Sequence, residues 1–157
     1  MQPKTEAMAD NELFIDRSFA APAALVFRLW SDAELLKRWF GPKDFTCPSY
    51  SLDFRVGGAY RGMIRSAHYP DGWFGGTFKE IVPNQKIVMS FAWEQGSGLT
   101  DRNDITITLR EADGVTIQRF HQAPFATIEE RDSHLGGWTE CIDKQVGYLQ
   151  TNPELQS

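Results

Sequence analysis

The hydrophobic pattern changes period along the chain, and the changes divide it into three parts. In residues 12–20, Leu13, Ile15 and Phe19 are interleaved with Glu12, Asp16 and Arg17, the period of two that predicts a strand. Residues 23–30 then read as a short helix, with Pro22 suited to its first turn. Ser31 and Glu34 have the spacing of a capping box, and Trp30 and Leu35 stand where a hydrophobic staple would flank it. A second short helix runs from this box to Phe40, and Gly41-Pro42 ends it.

Alternation then returns. Ile105, Ile107 and Leu109 oppose Thr106, Thr108 and Arg110, and Ile87, Met89, Phe91 and Trp93 share one face. Strands are predicted over residues 50–55, 59–67, 73–82, 86–93, 104–110 and 115–121. Turn signals separate them at Gly57-Gly58, Pro70-Asp71-Gly72, Pro83-Asn84, Gly96-Ser97-Gly98 and Asp113-Gly114. Short turns make this an antiparallel meander rather than a series of βαβ units. Gly57-Gly58 and Gly75-Gly76 are the expected sites of bulges or sharp bends that let a long sheet curve.

The last part is a helix over residues 126–150. Ile128, Leu135, Trp138, Ile142, Val146 and Leu149 fall within about 80° of arc at helical spacing. Gly136-Gly137 interrupts this stripe at a cost of about 1 kcal/mol per glycine relative to alanine, so the helix must be held by packing. A curved sheet set against such a helix leaves a space between them, and a space that side chains do not fill is a ligand cavity.

Composition narrows the picture. The 157 residues form one domain over 12–151, with tails at 1–11 and 152–157. Eleven Phe, five Trp and four Tyr mean an interior that is either very full or shaped around something. The net charge of −5, without a basic run, speaks against a nucleic-acid or anionic-membrane surface. No stretch has the length of a membrane span or the apolar core of a signal peptide. Cys47 and Cys141 match no metal or redox spacing and read as reduced thiols in a cytoplasmic protein.

Candidate chemistry is sparse. His68, His121 and His134 offer no metal-ligand spacing, and neither a nucleophile signature nor a phosphate loop is present; no metal and no cofactor is expected. If Val115 and Ile117 face the concave side of the sheet, Arg119 and His121 face it too. A guanidinium there needs a partner such as Glu80, Glu94 or a ligand anion, whereas a bulge near the strand end would turn it to solvent. Trp39, Tyr60, Phe78, Phe91, Trp93, Trp138 and Ile142 complete the candidate cavity lining; for any single aromatic, a place in a packed core is the competing reading.

Several segments in this order resemble a known family: Ala21-Pro22 with Val26-Phe27; Leu36-Lys37-Arg38-Trp39-Phe40-Gly41-Pro42; and Asp53-Phe54-Arg55-Val56-Gly57-Gly58-Ala59-Tyr60. Gly76-Thr77-Phe78-Lys79-Glu80-Ile81-Val82-Pro83, Lys86-Ile87-Val88-Met89-Ser90-Phe91-Ala92-Trp93 and Gly137-Trp138 continue the likeness. The chain resembles the activator of heat-shock-protein-90 ATPase homologue-like family of the START-like (SRPBCC, polyketide cyclase-related) superfamily. The resemblance implies an α+β helix-grip fold, in which a curved antiparallel sheet of about seven strands, with two short helices, wraps a long C-terminal helix. It implies a binding protein that encloses a small hydrophobic or amphipathic molecule between sheet and helix. Two other readings stay open beside it: a cyclase- or hydrolase-like enzyme using cavity residues, and an interaction module with a chaperone partner.

Overall fold

The computed structural model describes residues 8–94 and 103–156. Strand β1 (Leu13–Phe19) leads into helices α1 (Ala23–Ser31) and α2 (Ala33–Trp39). Strands β2 (Thr46–Leu52), β3 (Ala59–Arg65), β4 (Gly72–Val82), β5 (Lys86–Trp93), β6 (Asn103–Ala112) and β7 (Val115–Ala123) follow, then helix α3 (Ile128–Thr151) and a 3-10 turn at Pro153–Gln156. The strands form one curled antiparallel sheet in the order β1-β7-β6-β5-β4-β3-β2. The first strand therefore pairs with the last, Leu13 opposite Gln122 and Phe19 opposite Thr116. This half-barrel closed by α3 is the helix-grip fold. The predicted turn at Gly96-Ser97-Gly98 lies outside the described residues. No helix among them is long and apolar enough to cross a membrane.

The boundary between the short helices is set one residue later than the spacing of Ser31 and Glu34 suggests. Ser31 is the last residue of α1, and Asp32 caps α2, its Oδ1 accepting from the amides of Glu34 (2.9 Å) and Leu35 (3.4 Å). Aspartate caps as well as serine does, and here its amide also closes α1 on the carbonyl of Arg28 at 3.1 Å. At the other end of α1, the Glu111 carboxylate reaches the Ala23 amide at 2.7 Å, which places negative charge at a helix N-terminus.

β2 begins four residues earlier than predicted and contains Pro48. The strand lies at the edge of the sheet and its register shifts between Thr46 and Ser49, where a residue without an amide hydrogen is tolerated. The bulge of β4 falls between Phe78 and Glu80 rather than at Gly75-Gly76. Those glycines serve close approach instead. A Cβ at Gly76 would lie 2.1 Å from the Ser90 carbonyl oxygen, and one at Gly75 would lie 2.5 Å from that of Tyr60.

The inward face of β7 corrects the sequence reading most. Thr116, Gln118, Phe120 and Gln122 are fully buried, whereas Val115 and Ile117 are exposed. The amides are satisfied inside. Gln118 Oε1 accepts from Trp30 Nε1 (2.8 Å), and the Gln118 and Gln145 side chains bond each other at 3.0 and 3.1 Å. Gln122 Oε1 accepts from Trp138 Nε1 and its Nε2 donates to Asn103, both at 2.8 Å. Buried amides that find full complements of partners cost little and fix neighbouring rings. The apolar-in rule therefore selects the wrong face of this strand.

Helix α3 is held at several points. Thr127 caps it through the Glu130 amide, and Arg131 donates to the carbonyls of Ala9 and Glu12, each at 2.9 Å. Lys144 Nζ donates to the Phe45 carbonyl at 2.8 Å, and Arg17 pairs with Asp143. Its buried side is Arg131, Trp138, Cys141, Ile142, Gln145 and Leu149. The stripe is thus rotated from the predicted one, leaving Ile128 at 41% exposure.

Candidate functional site

Several of the expected lining residues are buried in the core. Trp39 is 1% exposed, donates to the Leu29 carbonyl at 3.1 Å and meets Trp30 edge-on at 5.0 Å. Phe78 packs on Phe54 at 5.0 Å, and Ile142 is completely buried. These three expected lining residues are buried in the core and do not border the cavity described below. Tyr60 is buried as well, its hydroxyl donating to the Ser90 carbonyl at 2.6 Å. It borders a separate depression of about 600 Å³ walled by Arg61, Gly76, Thr77, Ser90 and Glu94.

Arg119 and His121 are on the outer face of the sheet. Arg119 makes a double hydrogen bond to Asp16 on β1, 2.8 Å at each oxygen, and lies over the Phe14 ring at 4.4 Å. His121 Nε2 is 2.8 Å from Glu12 Oε1. Neither enters the cavity, because the buried amides of β7 claim the parity that would have brought them in. Bonding to His121 holds the Glu12 carboxyl below its ordinary range.

An open space lies between the N-terminal half of α3 and the β3–β5 part of the sheet. It is a cavity of about 590 Å³, within the range of sites for drug-sized molecules. Phe91, Trp93 and Trp138, all expected there, line it. Phe40 joins them from the end of α2, Phe74 and Ile64 from β4 and β3, and Gly137 from α3. Trp138 is fixed by its bond to Gln122 and by rings on two sides, Phe120 at 4.4 Å and Phe40 at 5.6 Å. The rim is marked by Tyr69, 67% exposed, which stacks on Phe45 at 6.1 Å between the β3–β4 connection and the segment after α2.

Gly137 leaves room beside this space. A Cβ at Gly137 would meet only Pro42 Cγ, at 3.8 Å, and one at Gly136 would meet nothing within 4 Å. Gly41, at φ +115°, lets the chain leave α2 tightly while its amide donates to Cys141 Sγ at 3.3 Å. Burial pushes the Cys141 thiol up to about 12, which leaves it protonated and unreactive at neutral pH.

One polar pair spans the cavity wall. Trp93 Nε1 on β5 donates to His134 Nε2 on α3 at 3.1 Å, and His134 Nδ1 lies 3.0 Å from the Glu130 carbonyl oxygen. An indole N–H only donates and a carbonyl only accepts, so the ring is the neutral tautomer with its hydrogen on Nδ1. On a helical wheel His134 and Cys141 sit on the flank of the predicted stripe, and the rotation of α3 brings both inward. Asp71, the acidic residue of the rim, gives both oxygens to Arg65 at 3.0 and 2.9 Å, a bond that holds its carboxyl low. Among the described residues no group of three or more His, Cys, Asp or Glu side chains is placed to hold a metal ion.

A curled sheet gripping a long helix over an aromatic cavity defines the helix-grip class, a fold of the ligand-binding type. The chain belongs to the Activator of Hsp90 ATPase homolog 1-like protein family, which it matches over residues 20–150. No curated protein sequence matches it. Solved structures do. An AHSA1 protein from Silicibacter pomeroyi superposes with a TM-score of 0.81 at 21% identity, over 90% of this chain and 99% of that one. A protein from Nitrosomonas europaea gives 0.79 at 21%, over 94% and 99%. DynU16, from the dynemicin biosynthetic locus, gives 0.73 at 16%, over 92% of this chain and 49% of its own. At these identities the likeness is one of fold.

Proposed function

We propose that the protein binds a small, mostly apolar molecule in the cavity between α3 and the sheet, without covalent chemistry. The observation that carries this reading is the aromatic-walled space of about 590 Å³ beside Gly137. The polar groups around it favour binding over catalysis. Asp71 is committed to Arg65, and the Cys141 thiol is held protonated. An enzyme of the cyclase or hydrolase type needs an acid or base free to face its substrate. A flat apolar body, by contrast, finds ring edges and faces on several sides.

The test is titration with a neutral fluorescent probe, N-phenyl-1-naphthylamine, into the native protein and into Gly137→Leu. Leucine at 137 fills space beside Pro42, and Gly137→Ala controls for the backbone change. Saturable one-to-one binding by the native protein, lost in the leucine variant and retained in large part by the alanine variant, is the expected result. Absence of saturable binding to the native protein would overturn the reading.

A further inference from the structure

Resting on that reading, we propose that the cavity selects apolar molecules carrying one hydroxyl group, held between Trp93 Nε1 and His134 Nε2. In the unliganded protein these two atoms satisfy each other at 3.1 Å, and both side chains are half-buried in the cavity wall. A ligand that reaches them must replace what it breaks. An alcohol or phenol does so on both sides, its oxygen accepting from the indole N–H and its hydrogen going to the imidazole lone pair. One hydrogen bond is exchanged for two. An ether or ketone accepts from Trp93 but leaves His134 Nε2 without a donor, and a carboxylate sets its charge against that lone pair. An ammonium group leaves the indole N–H without an acceptor. An unmet buried polar group costs more than a made bond returns, so the pair discriminates by what each rival leaves unsatisfied.

Both sides of the pair are held in place by the wall. His134 is anchored through Nδ1 to Glu130 and packs against the Phe125 ring at 5.1 Å. Trp93, at the end of β5, packs edge-on against Phe74 at 5.7 Å and Phe91 at 5.5 Å. A hydroxyl enters by parting the indole N–H from the imidazole. The other polar side chains of the wall do not compete for it: Cys141 Sγ takes the Gly41 amide, Asp71 takes Arg65, and Ser133 and Tyr69 lie exposed at the rim.

The experiment compares dissociation constants of naphthalene, 2-naphthol, 2-methoxynaphthalene and 2-naphthoate for the native protein, Trp93→Phe and His134→Phe. One net hydrogen bond corresponds to about a fivefold preference. The native protein is expected to bind 2-naphthol about fivefold tighter than naphthalene, with the methyl ether and the carboxylate no better than naphthalene. Each variant should lose the preference while still binding naphthalene. Equal affinities across the series in the native protein would overturn the hydroxyl assignment and leave the cavity reading standing, and so would tightest binding of 2-naphthoate. Failure of all four to bind would overturn both. If a phenylalanine variant does not fold, the ranking by the native protein decides alone.

Discussion

The paired glycines of α3 offer a sharp test of how the helix and the cavity share the same residues. In sequence they interrupt the apolar stripe at a cost in helix propensity, but in the structure α3 runs through them without a break from Ile128 to Thr151. Gly136 is exposed, and a methyl group there would meet no atom within 4 Å. Gly136→Ala should therefore express the full difference in helix propensity, about 0.8–1 kcal/mol of added stability. At Gly137 the methyl would rest 3.8 Å from Pro42 Cγ, an ordinary contact, and the gain should be of similar size, about 0.5–1 kcal/mol. For a domain of this length, 1 kcal/mol moves the melting temperature by roughly 2–4 °C. Urea denaturation followed by far-ultraviolet circular dichroism measures both, with the slope m unchanged if the unfolded state is unaffected. The two substitutions should differ in function: Gly136→Ala leaves ligand affinity alone, whereas Gly137→Ala takes a methyl's worth of space from the cavity and weakens binding only modestly. A stabilised protein with modestly weaker binding would show why glycine stands at 137. Destabilisation by Gly136→Ala would refute the reasoning, since it would mean that the backbone there needs a conformation alanine cannot adopt.

Two further results are expected. Asp32→Ala should cost about 1 kcal/mol by removing the α2 cap, whereas Ser31→Ala should change the denaturation midpoint little; the reverse order would restore the capping box. Burial raises the thiols of Cys47 to about 11 and Cys141 to about 12. Because the folded protein then binds these protons more tightly than the unfolded chain, their contribution is complete below the unfolded thiol value, about 8.5, and is lost as pH rises from there towards 11–12. The urea midpoint should fall over that range more steeply in the native protein than in a Cys47→Ala/Cys141→Ala variant, and equal slopes would count against it.

What was legible in the sequence follows from which physical rule is local. The order of elements is set by periodicity, by turn residues such as Asp113-Gly114, and by the stop at Gly41-Pro42, all of which act within a few residues. The face that each element buries depends on partners elsewhere. Gln118 and Gln122 lie inside because Gln145, Asn103 and the indoles of Trp30 and Trp138 await them there. That pairing turns Arg119 and His121 outward to Asp16 and Glu12, and nothing within β7 itself announces it. Trp138, Phe91 and Trp93 were readable as cavity residues because they lie on apolar faces near Gly137. Phe40 and Phe74 carry no such signal and His134 reads only as a residue on the flank of the helix stripe, since their positions depend on how α3 is rotated and on the path of the chain after α2. Trp39 shows the converse error: an aromatic in a family-like segment that is spent on the closed core.

The five tryptophans give the most direct test of where the ligand lies. Trp93 and Trp138 line the cavity, Trp30 and Trp39 are bonded inside the filled core to Gln118 and to the Leu29 carbonyl, and Trp73 lies under the Arg61 guanidinium at 3.8 Å. In a ¹H–¹⁵N spectrum each indole N–H is a separate signal, assigned by single Trp→Phe substitutions. On titration with N-phenyl-1-naphthylamine, the signals of Trp93 and Trp138 should shift to saturation while those of Trp30, Trp39 and Trp73 stay within a small fraction of that change. Saturating shifts confined to Trp73, or none at any of the five, would contradict a ligand bound between α3 and the sheet.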